Sequence, residues 1–156
     1  FTTHKYLDEL MAKYPGQLAV IVLPVPLERA CNPHLLVGLK DHPNACKFAE
    51  LSLRVWRANP EMFAEFHRSL FECREQPYEV AEAMAYSLVD PDKLDAVDDA
   101  WIKALLQQNT SDYASFVADT PVMPKLLIKD SLIVHGKTKD QETLETLLKK
   151  HLGISR

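Results

Sequence analysis

The sequence has few cysteines, no long apolar run and no excess of basic residues. Its three cysteines in 156 residues are too few to build a small domain held together mainly by disulfides. No apolar run approaches the roughly 20 residues that a membrane-spanning helix needs. The net charge of −4 gives no broad basic surface, so the composition offers no support for nucleic-acid binding.

The remaining composition is ordinary for a soluble globular domain. Apolar residues make up 47% of the chain and charged residues 26%, and 156 residues suffice to bury one core. Residues 1–13 have the pattern of an amphipathic helix, not that of a basic segment followed by an apolar one. We therefore expect any export signal or membrane anchor to lie outside these residues.

A short apolar run follows the first helical pattern. Pro15 and Gly16 end that pattern, and Leu18–Leu23 is apolar at every position. A run that is short and apolar on both faces is typical of a central strand buried on both sides. Pro24 and Pro26 end the run because prolines cannot donate to a strand ladder. The sequence thus predicts a buried strand at 18–23.

Helical patterns then follow one another from about residue 43 to residue 117. Asp90 followed by Pro91 is a typical helix start, because a capping side chain precedes a proline at the first helical position. Thr110 or Ser111 is expected to cap a separate short helix near the end of this region. The region is therefore predicted to be a block of helices.

The character of the sequence changes again at Pro121. Residues 125–128 and 132–134 have the pattern of two short strands. Asp140 is expected to cap a last helix, and Gly153 is expected to follow its end. The order of helix, buried strand, helical block, hairpin and helix predicts an α/β fold, in which a mixed sheet has helices on its faces and a helical insertion.

The cysteines admit several interpretations from the sequence alone. A disulfide between Cys31 and Cys46 would close a loop of about 15 residues and stabilise the fold by ~3 kcal/mol in the chain-entropy model. As zinc ligands the two would join His34 and His42, although this spacing matches no common zinc finger. As free thiols they would simply pack in the interior. Cys73 is interpreted as an unpaired cysteine near a helix end.

Several short segments are similar to those of one bacterial family. Residues Thr120–Pro124, directly before a predicted strand, look like the loop that carries the family's cis-proline, with Pro124 at the aligned position. Residues 23–33 and 42–46, with Trp56 downstream, resemble a subgroup related to vitamin K epoxide reductase-associated thioredoxin domains. Over nearly its whole length the chain resembles the DsbA-like thioredoxin-fold thiol–disulfide oxidoreductases.

This resemblance implies a particular arrangement of the α/β fold. The fold is expected to be a thioredoxin-like mixed sheet with an inserted helical subdomain. Residues 1–26 and 118–156 would form the thioredoxin-like core, from which the family's first strand is missing, and residues 27–117 would form the helical insertion. A core that is discontinuous in sequence and one continuous insertion are therefore expected.

The resemblance also implies an activity, partners and site residues. The expected activity is thiol–disulfide exchange with cysteine-containing proteins or peptides, with a membrane redox partner and without cofactor, metal ion or nucleic acid. A periplasmic or otherwise extracytoplasmic location favours the Cys31–Cys46 disulfide among the three interpretations. The Met123–Pro124 bond is expected to be cis and to lie beside the first helix's N-terminus, which leaves the backbone of Met123 to bind an extended substrate.

The chain departs from the family at the catalytic motif. No two of its cysteines are three residues apart, so no Cys-x-x-Cys pair is present and no catalytic residue is identified. In the family this pair opens the first helix, whose N-terminus stabilises the attacking thiolate. Either an enzyme carries the pair in a segment before Thr2, or the chain is a redox-inactive peptide- or protein-binding module. A glutathione-dependent transferase or isomerase is a third hypothesis, for which Thr2, Thr3 and Tyr6 are poor catalytic substitutes.

Overall fold

The computed structural model describes residues 2–36, 40, 42–72, 77–117, 120–129 and 132–155. Within these residues the chain forms seven α-helices and one two-stranded antiparallel sheet. The elements, in chain order, are α1 (Thr2–Lys13), α2 (Ala45–Ala58), α3 (Pro60–Glu72), α4 (Tyr78–Leu88), α5 (Pro91–Asp95), α6 (Asp99–Val117), β1 (Lys125–Ile128), β2 (Leu132–His135) and α7 (Gln141–Leu152).

The predicted thioredoxin-like mixed sheet is wrong, because the described residues are mostly helical and their sheet is only a hairpin. The error lies at Leu18–Leu23, which belongs to no helix or strand. Ile21 is 84% exposed and Leu23 is 55% exposed, although the sequence predicts both to be buried. A central strand is buried only when neighbouring strands pair with both of its edges. Within the described residues, neither β1 nor β2 pairs with this run.

The chain divides into two compact units. Unit 1 comprises residues 1–22 and 117–156, and unit 2 comprises residues 23–116. The sequence places the corresponding boundaries at 26 and 118. Each unit has its own apolar interior, so the two are described separately.

Unit 2 is a helical block, as the sequence predicts. Its main core contains Phe66 and Val55, both fully buried, and Ala81 and Ala85 of α4, whose small side chains allow neighbouring helices to approach closely. Helix α5 begins with the predicted cap, since the Asp90 carboxylate accepts a hydrogen bond from the backbone N–H of Asp92.

Helix α6 runs unbroken through the position where the sequence predicts a separate helix start. Thr110 is 1% exposed, and its hydroxyl donates to the carbonyl oxygen of Gln107 at 3.0 Å. A hydroxyl that bonds back to the preceding turn does not cap a new helix. The predicted cap at Thr110 or Ser111 is therefore wrong.

Unit 1 packs helices against one face of the hairpin. Its core brings together side chains from α1, β1, α7 and the chain end: Leu10, Tyr14, Ile128, Leu144, Leu148 and Ile154. Strands β1 and β2 pair in the register Lys125↔His135 to Ile128↔Leu132. Helix α7 is capped as predicted, because Asp140 accepts from the N–H of Thr143 and Gly153 ends the helix at φ 73°.

Candidate functional site

The loop before β1 is held by hydrogen bonds within unit 1. The hydroxyl of Thr120 accepts from the N–H of Val122 at 3.3 Å, and the ammonium of Lys125 donates to the carbonyl of Thr120 at 2.5 Å. The carbonyl of Pro124 accepts from the N–H of Gly136 at 2.7 Å, which extends the hairpin ladder by one pair. The Met123–Pro124 peptide bond is cis. The substrate-binding role of Met123 and Pro124 stays a prediction, as does their expected position beside the start of α1.

The outer edge of β1 presents backbone groups at Leu127. In an antiparallel ladder, hydrogen-bonded and non-hydrogen-bonded pairs alternate. Because residues 124 and 136 form a bonded pair, residue 126 bonds with 134 and residue 128 with 132. The N–H and C=O of Leu127 therefore point away from β2, and no backbone hydrogen bond joins them to another part of the described chain.

The side chains near this edge are apolar and accessible. Leu127 is 54% exposed and Val122 is 49% exposed, and Met123 is half-buried. Leu126 and Ile128, on the opposite face of β1, pack into the core of unit 1. The strand is thus anchored on one face, while its other face and its outer edge remain accessible. We call the surface formed by Val122, Met123, Pro124 and Leu127 the β1 edge.

The N-terminus of α1 has the features of an anion-binding helix end. Its first turn carries no acidic residue, so no carboxylate of the helix itself neutralises the positive end of the dipole. Thr3 is 8% exposed, and its hydroxyl has no hydrogen-bond partner among the described residues. His4 Nε2 lies 3.4 Å from the Asp8 carboxylate, one turn further along. A thiolate or another anion at this end would meet backbone donors and no opposing carboxylate in the first turn.

Cys31 and Cys46 are joined by a disulfide, the pairing that the resemblance implies. Cys31 is half-buried against Leu53 and Ile102 in a second cluster of unit 2. Sulfurs bonded to each other are not thiolate ligands, which removes the basis of the zinc interpretation. Cys73 lies outside the described residues.

Glu28 contacts both halves of the disulfide. Its carboxylate accepts from the N–H of Cys46 at 2.8 Å, and its carbonyl accepts from the N–H of Cys31 at 3.3 Å. The sequence reasoning missed Glu28, because it lies 18 positions before Cys46, whose N–H it caps, and no local pattern relates the two.

Glu145 of α7 joins α7 to α1 and was likewise missed. Its carboxylate accepts from the ammonium of Lys13 at 2.6 Å, from that of Lys149 at 2.8 Å and from the hydroxyl of Tyr14. These donors, Lys13 first, lower the pKa of Glu145 to about 2. The only local signal was the spacing of Glu145 and Lys149 by four residues, which is common on solvated helix faces.

The described residues lack two kinds of feature, a membrane-spanning helix and a metal-binding cluster. No helix in that part of the chain is both long and apolar enough to span a membrane. No group of three or more histidine, cysteine, aspartate or glutamate side chains there is arranged to hold a metal ion.

No family model matches the chain, and no curated protein or solved structure matches it either.

Proposed function

We propose that this protein is a DsbA-like thiol–disulfide oxidoreductase, acting on cysteine-containing proteins in an extracytoplasmic, oxidising compartment. The observation that carries the proposal is the β1 edge, where Leu127 offers an outward N–H and C=O beside accessible apolar side chains. An extended peptide can add to such an edge as a further strand, with main-chain hydrogen bonds for affinity and side-chain contacts for specificity. The Cys31–Cys46 disulfide also supports an oxidising compartment.

The N-terminus of α1 supports the redox half of the proposal. A thiolate is stabilised at a helix N-terminus, and a stabilised thiolate is the reactive form in disulfide exchange. The first turn of α1 has no carboxylate that would oppose such a charge, and the buried hydroxyl of Thr3 is available to it as a donor. Both α1 and the β1 edge belong to unit 1.

The reaction needs two thiols. A thiolate attacks one sulfur of a substrate disulfide and forms a mixed disulfide, and the other substrate sulfur leaves with the electron pair. The second thiolate then displaces the substrate, so that the enzyme pair is oxidised and the substrate is reduced. The reverse sequence oxidises a substrate dithiol. Because Cys31 and Cys46 are bonded to each other and no Cys-x-x-Cys pair occurs in residues 1–156, the proposal requires such a pair outside these residues.

Peptide binding tests the part of the proposal that this chain carries. A fluorescent, extended peptide with one serine in place of its cysteine is titrated against residues 1–156 and followed by anisotropy. Leu127→Pro removes the outward N–H while leaving the bonds to β2 intact, since residue 127 does not donate to β2. We expect about tenfold weaker binding, which corresponds to the loss of one good hydrogen bond.

Ile133→Pro is the matched control. Ile133 is the cross-strand neighbour of Leu127, and its backbone groups point to the opposite edge of the hairpin. We expect this variant to bind like the unmodified chain. Equal weakening by both substitutions, in variants with unchanged circular dichroism, would refute binding at the β1 edge, and so would the absence of any binding.

A redox-inactive binding module is the second candidate. The absence of a Cys-x-x-Cys pair from the 156 residues favours it, and it makes the same use of the β1 edge. An insulin-reduction assay with dithiothreitol, run on the protein as its gene encodes it, decides between the two. Turnover by the protein as encoded, with little or none by residues 1–156 alone, is expected for the enzyme. Peptide binding without turnover by either would leave the binding module.

A further inference from the structure

Helix α2 is capped by a residue from a distant part of unit 2. Its N-cap residue, Asn44, has a left-handed backbone at φ 67° and makes no side-chain hydrogen bond to the helix. The N–H of Cys46, at the second position of α2, is one of the donors that a helix start leaves unsatisfied. The carboxylate of Glu28 accepts this N–H at 2.8 Å. Glu28 therefore fills the place that a local capping side chain usually takes.

The backbone of Glu28 is held in place next to Cys31, the other cysteine of the disulfide. The carbonyl of Glu28 accepts hydrogen bonds from the N–H groups of Cys31 at 3.3 Å and of Asn32 at 3.0 Å. Asn32 is fully buried, and its amide donates to the carbonyl of Pro26 at 2.9 Å. This turn, anchored by the buried Asn32, holds the backbone of Glu28, so its carboxylate is directed at α2 from a fixed position.

The position of this carboxylate bears on the chemistry of the disulfide. When an external thiolate attacks Cys31, a bond forms to the Cys31 sulfur, the disulfide breaks, and the Cys46 sulfur leaves with the electron pair as a thiolate. A cysteine at a helix N-terminus is usually a good leaving group, because the helix end stabilises its thiolate. Here a carboxylate already occupies that helix end, and its negative charge disfavours a second anion beside it.

We infer that Glu28 is a positioning residue that keeps the Cys31–Cys46 disulfide out of exchange with reactive thiols. It does so by placing a negative charge where the departing Cys46 thiolate would otherwise be stabilised. The inference rests on contacts within unit 2 and does not depend on the proposed function. Such protection is useful in any protein that meets reactive thiols, since a structural disulfide must not be reduced by them.

The test measures how fast dithiothreitol reduces the disulfide in the full chain at neutral pH, followed by mass-tagging of the released thiols. Glu28→Gln keeps an oxygen that can accept the N–H of Cys46 but removes the charge. We expect reduction about three times faster. Removing the charge should make the departing Cys46 thiol more acidic, and a more acidic thiol leaves faster; a change of one unit in a thiol's pKa changes exchange rates by about this factor. Glu61→Gln, which removes an exposed carboxylate in the first turn of α3, beyond the C-terminal end of α2, is the matched control and should reduce at the unmodified rate.

Salt separates the electrostatic effect from a loosened structure. At 1 M salt the Debye length is about 3 Å, but a part-buried charge is screened only partly, so the difference in rate between the unmodified chain and Glu28→Gln should narrow there. Glu28→Ala, which loses the cap as well as the charge, should remain faster than both at high salt. The other charged or titratable groups close in sequence to Glu28 or Cys46 are the same in the unmodified chain and in both Glu28 variants: Arg29, Asp41, His42, Lys47 and Glu50. Equal reduction rates of Glu28→Gln and the unmodified chain at low salt, or a difference that grows with salt, would overturn the inference.

Discussion

Removing the Cys31–Cys46 disulfide should destabilise unit 2 and leave unit 1 almost unchanged. The bridge joins residues 15 apart, and in the chain-entropy model a loop of this length stabilises the folded state by ~3 kcal/mol. The perturbation is the double variant Cys31→Ala/Cys46→Ala, which leaves no unpaired thiol at either position. Cys31 is only partly buried in its cluster. The stability lost by releasing the loop is therefore expected to exceed the stability lost with the side-chain packing.

The free-energy change converts into a temperature shift. Unit 2 spans Leu23–Phe116, and unfolding entropy is roughly 2.1 cal/mol/K per residue. About 94 residues therefore give ~0.2 kcal/mol/K, so ~3 kcal/mol lowers the unfolding temperature of unit 2 by roughly 15 °C. Hydrogen exchange read by mass spectrometry resolves the two units, with α2 and α6 reporting on unit 2 and α7 on unit 1.

The expected result is faster exchange in α2 and α6 of the double variant and unchanged exchange in α7. Cys73→Ala, which leaves the bridge in place, is the control for the loss of a cysteine side chain as such. Uniform acceleration in both units would contradict the confinement of the effect to unit 2. Unchanged exchange in α2 and α6 would contradict the reasoning altogether, since the bridge would then contribute nothing to the unit that contains it.

Three further predictions concern unit 1. Leu144→Ala removes a fully buried side chain and should cost about 2–5 kcal/mol in urea unfolding; a loss below about 1 kcal/mol would show that Leu144 is not in the core. The pKa of Glu145 is about 2, below its ordinary 4.5, so its contribution to stability is complete above about pH 4.5 and is lost as the pH falls through 2. Glu145→Gln should therefore flatten the fall in urea midpoint between pH 5 and pH 2, and an equally steep fall would refute the linkage. Gly136→Ala should destabilise unit 1 by about 1–3 kcal/mol, and by more than Gly153→Ala. Both glycines have positive φ, but only at Gly136 would an added Cβ meet another atom, the Val122 Cγ1 at 2.7 Å.

Sequence patterns predicted those features whose causes lie within a few residues. Asp90 before Pro91, and Asp140 before the last helix, cap α5 and α7 as expected, because a capping side chain bonds to an N–H two or three residues away. Gly153 ends α7 in the left-handed conformation for an equally local reason. The hairpin was also predicted, since its two strands are joined by a short turn.

The wrong predictions concern features that depend on distant residues. Leu18–Leu23 has the composition of a buried strand, but burial requires neighbouring strands, and the described chain provides none beside it. Thr110 has a good capping side chain, but its hydroxyl bonds to the preceding turn inside a longer helix. In each case the residue type was compatible with two structures, and the surrounding chain decided between them.

The capping role of Glu28 shows why part of the site could not be predicted. A glutamate that lies 18 positions before the residue whose N–H it caps has no pattern that distinguishes it from any solvated glutamate. The contact exists because a turn anchored by the buried Asn32 directs the chain back towards α2. Such a contact follows from the packed structure and has no counterpart in the spacing of the residues.

The two proposals can be separated because each rests on contacts within a different unit. Peptide binding is assigned to the β1 edge of unit 1, and protection of the disulfide is assigned to Glu28 in unit 2. Glu28→Gln should therefore change the rate of disulfide reduction and leave peptide affinity unchanged, whereas Leu127→Pro should do the reverse. Both quantities are measured on both variants, with anisotropy for binding and mass-tagging for reduction. If either variant changed both quantities, at least one effect would come from a general loss of structure, because neither substitution removes a contact in the other unit.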